Sequence, residues 1–596
     1  MAANSNFAGF NGHKQGNNDV ASIEGGTSFS ITTNNRGFIG NYNLEIGKKY
    51  YWEVRAKSFG GTNDQLFIGV CKDTTDLSGN RGGGQVASSG SYGFENYDNG
   101  VYLNSDSSSG SGPGQFRQSD LPANIRVKVD RVNHTISWAL NAGSFSSTYT
   151  IPSTGRLYPW LGSGGGTQTA ESRANFGQDS TFSGDLTAQT NTDSNGLGEF
   201  YYSVPTGFLA CCSKNKSVSA DIDPNLTDDD YPDKQFSNSS YAGNLTNRTI
   251  TTSLRPDLIL IRGTNTSNAW YMVDACRGGI TGNKYLKTND SIAEATFPQS
   301  NFTSIGDTSV GISSGTWLNS TGQTLQMWLW KGGGEPSADN SAGAGNTPTA
   351  GSVKIDGSNS SSALAGATAA TRISANTKAG FSIITYTGFA GASGTSTVAH
   401  GLTSAPEMIW HKSRTTVGSW WVQHVGLSAP KMTINLNGTA GEGDYSSYGT
   451  LVSPTSSVFT ISGIDGIGGG SADYVAYAWH SVPGYSSFGS YTGSGSQNGR
   501  YIDLGFRPKW LIIKKSSEAS TTYGWANFST HHQPFNKALF SGGWLDTTAA
   551  FSSNYDVQIL GNGFKMRNNN TNLDASGKTY IYAAWGDVPA KYSNGF

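Results

Sequence analysis

The sequence predicts an all-β protein, one β-sandwich followed by three related antiparallel β-sandwich repeats. Three observations predict it. Short aromatic and β-branched runs alternate with period two, as in Ile125-Arg-Val-Lys-Val-Asp130, which places Ile125, Val127 and Val129 on one face. Glycine, 79 of 596 residues, joins Ser, Thr and Asn in breaking these runs into short strands. The C-terminal part states a single pattern three times, the mark of duplicated modules.

Length and composition set the outer limits. A chain of 596 residues exceeds one core, so several domains are expected. Aromatics at 12% and charges at 14% exclude a disordered chain. Forty basic against 42 acidic residues argue against a nucleic-acid partner, which would call for a basic face. Cys71, Cys211, Cys212 and Cys276 show no CxxC spacing. They read as small buried side chains, with neither a zinc site nor a disulfide framework. Met1-Ala-Ala-Asn-Ser-Asn6 lacks the basic and apolar regions of a signal peptide. No apolar run nears the ~20 residues that span a bilayer, so a soluble chain with no membrane insertion is expected.

Residues 29–185 read as the first sandwich. Tyr50-Tyr-Trp-Glu-Val54 is a strand with Glu53 its only charge; Leu66-Phe-Ile-Gly-Val70 and Ser91-Tyr-Gly-Phe94 follow. Ile125–Asp130 turns through Arg131-Val-Asn-His134 into Thr135-Ile-Ser-Trp-Ala-Leu140, a hairpin. These motifs, in this order and with Leu157-Tyr-Pro-Trp160 and Asn175-Phe-Gly-Gln178 after them, resemble a SPRY domain over about 150 residues. The resemblance implies a curved β-sandwich that binds without catalysing, through variable loops. The loops here are Gly79 to Ser91 and Ser105 to Gly114. Residues 1–28 would precede the first strand as a possible anchor.

The repeats open at Tyr241-Ala-Gly243, Tyr386-Thr-Gly388 and Tyr491-Thr-Gly493. Each continues with proline and an apolar strand ending in a base: Pro256 to Arg262, Pro406 to Lys412 and Pro508 to Lys514. Proline at a strand start needs no ladder donor there. Trp270, Trp420 and Trp525 follow, and the units close on Trp330, Trp479 and Trp585. From proline to closing tryptophan the intervals are 74, 73 and 77 residues. In the closing strand of the middle unit, Tyr474, Ala476 and Ala478 face one way and Val475, Tyr477 and Trp479 the other. The modules are placed at 235–334, 380–482 and 483–596. Between them lie a connecting strand and acidic linker at 186–234 and a Gly/Ala/Ser-rich linker at 335–379, in which Ser361 to Thr371 is expected to form a short helix.

A SPRY-like sandwich, then Gly198-Glu-Phe-Tyr-Tyr-Ser-Val-Pro-Thr-Gly207, then Tyr-x-Gly modules such as Phe381-Ser-Ile-Ile-Thr-Tyr-Thr-Gly388, resembles SPRY-containing virion proteins of marine and cyanobacterial phages. That resemblance implies a tail-fibre or other external appendage of the virion. Its partners would be a host cell-surface glycan or protein receptor and other phage tail or virion proteins, and the chain would be a homotrimer. A capsid decoration or head-fibre protein and a glycan depolymerase are the alternatives.

Aromatic side chains peculiar to one copy are the ligand candidates: Trp317, Trp421, Tyr445, Tyr448 and Trp544, where sugar CH groups could stack on ring faces. The aromatics that recur in all copies are assigned to the core. Asp221, Asp223 and Asp228 are weak calcium candidates, since crowded carboxylates favour a hard cation, although the glycine and glutamate of an EF-hand loop are missing. His531 and His532 lack the His-x-His spacing that would let a strand chelate a metal. No Gly-x-Ser-x-Gly elbow and no phosphate loop occur. Glu442 and Asp444 are carboxylates in one glycine-rich turn, too close for the facing pair of a glycosidase. No catalytic residue, metal site or cofactor is expected.

Overall fold

The computed structural model describes residues 7–12, 20–23, 27–31, 37–61, 65–72, 90–104, 108–163, 168–496, 499–520, 524–531, 540–555, 557–567 and 569–592. Its regular structure is almost entirely β-strand, with a single four-residue α-helix, Thr316–Asn319, among those residues. No helix among them is long and apolar enough to cross a membrane.

The N-terminal sandwich stacks a seven-stranded sheet on an eight-stranded one. Lys49–Gly61 is the spine of the larger sheet, flanked by Ala123–Asp130 and Gln168–Asn175. Ile125, Val127 and Val129 point into the core beside Trp52, Ile68 and Phe94, as the period-two pattern requires. Trp138 Nε1 donates to the Ile68 carbonyl across the core at 2.8 Å and ties the sheets together. Of the two binding loops expected from the resemblance, 79–89 and 105–107 lie outside the described residues. Strands begin earlier than expected. Phe10–Gly12 pairs with Gly37–Gly40, and Val20–Ile23 pairs with Ser28–Ile31, so part of 1–28 belongs to the sandwich. Phe10 is what fixes it there, buried 5.3 Å from the ring of Phe176.

The outer face of the larger sheet is covered by residues 197–212. Leu209–Ala210 adds a short parallel strand, and Phe200, Phe208 and Cys212 pack on Tyr51. Glu53, the one charge of its strand, is fully buried there. It accepts hydrogen bonds from Tyr51 Oη, Asn175 Nδ2 and the backbone N–H groups of Tyr201 and Tyr202. A buried carboxylate is tolerated when its lone pairs are used in this way.

Each C-terminal module pairs a large sheet with a small one. In module 1 the opening strand Phe236–Ala242 lies against the closing strand Thr324–Trp330, then the proline strand Leu258–Gly263, then the tryptophan strand Tyr271–Asp274. Modules 2 and 3 repeat this order with Phe381–Thr387, Asp473–Trp479, Met408–Ser413, Trp421–His424 and with Ser486–Thr492, Thr579–Pro589, Phe506–Lys515, Trp525–Ser529. The proline strands are apolar on consecutive residues because both their faces are buried. Ile259 and Ile261 face the small sheet of module 1, whereas Leu258 and Leu260 enter a core shared by all three modules. Tyr474, Ala476 and Ala478 likewise face the core of module 2, and Val475, Tyr477 and Trp479 the shared one.

The three modules therefore form one body with a pseudo-threefold axis. Trp330, Trp479 and Trp585 meet there, their rings 5.6, 5.9 and 6.3 Å apart. Around them the second tryptophan set closes a cycle. Trp270 Nε1 of module 1 donates to the Trp544 carbonyl of module 3, Trp525 Nε1 of module 3 to Asn435 of module 2, and Trp420 Nε1 of module 2 to Lys287 of module 1, each at 2.8 Å. Two of the three strand-ending bases follow the same cycle, whereas Lys412 donates to the Ser413 carbonyl of its own module. Arg262 donates to the carbonyls of Thr548 and Ala549, and Lys514 to that of Gly438.

Both expected linkers are structural. Val353–Ile355, Ser358–Asn359 and Ala370–Asn376 extend the large sheet of module 2 to nine strands. No helix forms in 361–371, because the Ala367 and Thr368 N–H groups are taken by the Thr397 carbonyl and the chain enters a strand at Ala370. The acidic segment before module 1 straps the body. Ile222 enters the shared core, and Asp230 bridges Lys331 of module 1 and Lys378 of module 2. The SPRY-like sandwich is docked on module 3. Lys216 pairs with Asp503 at 2.5 Å, side chains 2% and 0% exposed, and Arg156 donates to Ser487 Oγ.

Candidate binding surface

Three of the five aromatic candidates lie on module 2, where two of them meet and the third stands in the adjoining turn. The strand Trp421–His424 hangs between Met408–Ser413 and Met432–Asn435. Trp420 turns to the shared core and Trp421 to the opposite face, against the rim of module 2's own core. Trp421 Nε1 donates to the Asp465 carbonyl at 2.8 Å, which leaves its ring half-buried in a fixed orientation. Gly466 (φ +103°) permits this approach, since a Cβ there would stand 2.7 Å from Trp421 Cδ1. The ring of Tyr445 meets that of Trp421 edge-on at 4.6 Å. The next turn, Ser446–Tyr448, carries Tyr448 outward with 47% exposure. At its foot Asp444 pairs with Lys431 at 2.6 Å, and that ammonium holds the Asp444 carboxyl below the usual range.

Trp317 stands over the related position of module 1. Tyr271 follows the core residue Trp270 as Trp421 follows Trp420. Half-buried Trp317 packs on Phe297, Tyr271 and Tyr285 at 5.7, 5.8 and 6.1 Å. Sequence reasoning named Trp317 without its three neighbours. The strand register that gathers them supplies no local signal.

Trp544 is different. In module 3 the residue after the core tryptophan is Ala526, which faces Trp544 in the ladder. The indole fills that space and is 4% exposed. It is a core side chain, and its carbonyl receives the Trp270 bond.

The calcium candidates do not converge. Asp221 and Asp228 are exposed, and buried Asp223 accepts hydrogen bonds from Tyr592 Oη and the Asn225 N–H beside Lys591. Among the described residues no three His, Cys, Asp or Glu side chains could hold a metal ion. His531 bonds Ser240 Oγ across modules, and His532 lies outside the described residues. The Glu442 carboxylate accepts the Ser428 N–H, apart from the Asp444–Lys431 pair. All four cysteines are buried, and burial pushes the thiols of Cys211, Cys212 and Cys276 up.

The fold and this surface define an all-β protein, a SPRY domain mounted on a three-module aromatic-cored body. A SPRY family model matches residues 49–179. The chain belongs to the family described as a domain of unknown function, DUF7483, matched over residues 231–354 and 343–589. The first match covers module 1 and the second modules 2 and 3. Among solved structures the chain is similar to the SPRY domain of human HERC1, at 13% identity over 26% of this chain and 93% of that one, with a TM-score of 0.21. It is also similar to the TRIM65 PSpry domain, at 12% identity over 28% and 92% with a TM-score of 0.22, and to a human SPRY domain, at 14% over 26% and 97% with a TM-score of 0.20. No curated protein matches the chain.

Proposed function

We propose that this chain is an external phage appendage, a tail fibre, that recognises the host surface by non-covalent, multivalent contacts. The observation that carries this reading is the pair of aromatic platforms, Trp421–Tyr445–Tyr448 and Trp317–Tyr271, held at related positions of two modules. Half-exposed rings fixed by packing offer stacking surfaces at low entropic cost. Two such sites on one rigid body raise avidity without a tighter single contact. The SPRY domain, a protein-interaction module, then serves as the joint to the virion, and a homotrimer multiplies the sites again. The receptor is a surface glycan or a protein displayed beside it.

The test is saturable binding of the purified chain to intact candidate host cells, competed by phage. Trp421→Ala with Tyr448→Ala, and separately Trp317→Ala, should each weaken binding about tenfold through lost avidity while the far-UV spectrum is kept. Binding indifferent to all three changes would overturn the platform assignment. Absence of binding by the folded chain would favour capsid decoration, and release of reducing ends from host polysaccharide would favour a depolymerase.

A further inference from the structure

The pseudo-threefold axis makes three opening strands comparable, and their outer edges differ. In module 2 the outer edge of Phe381–Thr387 is filled by Ala370–Asn376, antiparallel from Ala370↔Tyr386 to Asn376↔Phe381. In module 3 the first half of the outer edge of Ser486–Thr492 is closed by its own turn. Ser486 exchanges backbone hydrogen bonds with Val482, the Phe488 N–H donates to Ser481 Oγ, and Arg156 of the SPRY domain reaches Ser487. In module 1, Phe236–Ala242 is the end strand of its sheet. Among the described residues no backbone hydrogen bond reaches Ser237–Tyr241 except from the closing strand Thr324–Trp330.

That edge is also undefended. Free edges are ordinarily blunted by lysine, proline or a bulge. Phe-Ser-Asn-Ser-Ser-Tyr-Ala contains no charge and no proline, and its register with the closing strand runs without a shift. A groove of about 420 Å³ runs beside it. Ser237, Ser239, Thr251 and Ser253 form one wall, and Asn238 with Thr530 and the Asp233–Lys509 pair the other. Side chains on both faces of the strand are engaged: Ser253 Oγ donates to Ser237 Oγ, and Asn238 Nδ2 to Ser529 Oγ. What is left open is the backbone edge.

We infer that the outer edge of Phe236–Ala242 receives an extended strand from another polypeptide, pairing antiparallel as Ala370–Asn376 does in module 2. The hydroxyl and amide groups of the walls suit polar side chains at alternate positions beside the Asp233–Lys509 pair, and the main chain supplies the affinity. The internal strand is the precedent for direction.

The probe is an acetylated, amidated peptide of residues 369–377, added to the intact chain and followed by amide hydrogen exchange. Exchange should slow by about tenfold within 236–242, saturably, and nowhere else. Of Ser239→Pro and Ser240→Pro, one removes an N–H from the ladder with the closing strand and lowers Tm. The other removes an outward N–H, leaves Tm unchanged and abolishes the protection. Absence of protection at millimolar peptide would overturn the inference. So would protection confined to 381–387, which means exchange with the internal strand. Protection of 236–242 that rises with protein concentration before any peptide is added would overturn it in favour of a second copy of the chain.

Discussion

The SPRY domain and the three-module body each contain a large sheet with two faces to bury, and they bury the second face by different means. In the SPRY domain the chain folds residues 197–212 back over the sheet and pins them to Glu53. In the body each module's second face is covered by the other two modules. A domain that covers itself can stand alone, whereas a module that relies on two neighbours cannot. Unfolding should therefore separate into one SPRY transition and one body transition, with the three modules inseparable.

The axis gives the most severe break. Trp330→Ala removes an indole that touches both symmetry mates, at about 3–5 kcal/mol. Calorimetry should show the whole body transition displaced downward and the SPRY transition unmoved; loss of module 1 alone would contradict a shared core. Trp52→Ala should do the reverse. Next comes the joint. Lys216→Met leaves Asp503 buried without its cation, at about 3 kcal/mol, and should part the two transitions further. Adding Asp503→Asn should recover most of the loss.

Acid should sharpen the contrast, because the two regions have opposite slopes. Burial pulls His400, His411 and His424, all in module 2, down to about 4. In the unfolded chain they titrate near 6.5. Between those values the unfolded state holds more protons, so body stability falls as pH falls from about 6.5 to 4. Asp574 of module 3, pushed up to about 6 by burial, opposes this together with Asp257 and Asp546, which burial also raises, whereas Asp230 and Glu294, held below the usual range by their cationic partners, add to it at lower pH. In the SPRY domain burial pushes Glu95 up to about 8 and raises Glu53. The folded state then holds more protons, so SPRY stability rises as pH falls from about 8 toward the unfolded carboxylate value near 4.3. Calorimetry from pH 8 to 5 should show the SPRY transition rising and the body transition falling, and Glu95→Gln should flatten the SPRY profile. The smallest effect is expected at Tyr448→Ala, under about 0.5 kcal/mol for an exposed side chain, so that any loss of cell binding there reads as lost contact.

Much of this was legible in the residues. The alternation of Asp473–Trp479 and the recurrence of the tryptophans named which side chains are buried. The association of modules was not legible, because a strand apolar on both faces announces two partners without naming them. Ala370–Asn376 escaped notice because its buried residues include Ala, Ser and Asn, which compose linkers as readily as strands. Trp544 was misjudged for a more general reason. Its counterparts are Lys287 and Asn435, and what the three positions share is a carbonyl oxygen, which side-chain comparison cannot detect. The platform was half visible: Trp421, Tyr445 and Tyr448 were named, but their meeting depends on Gly466 and on a ladder register.

The cyclic body has a consequence for how such a protein can change. Three identical subunits around an axis must repeat every substitution three times, so an improvement on one side is a burden wherever it clashes on the others. Here the three sides are encoded separately. One carries a strand at 370–376, another holds the SPRY domain against Ser487, and the third leaves the outer backbone edge of Ser237–Tyr241 open. Each side can specialise alone while the indoles at the centre stay the same.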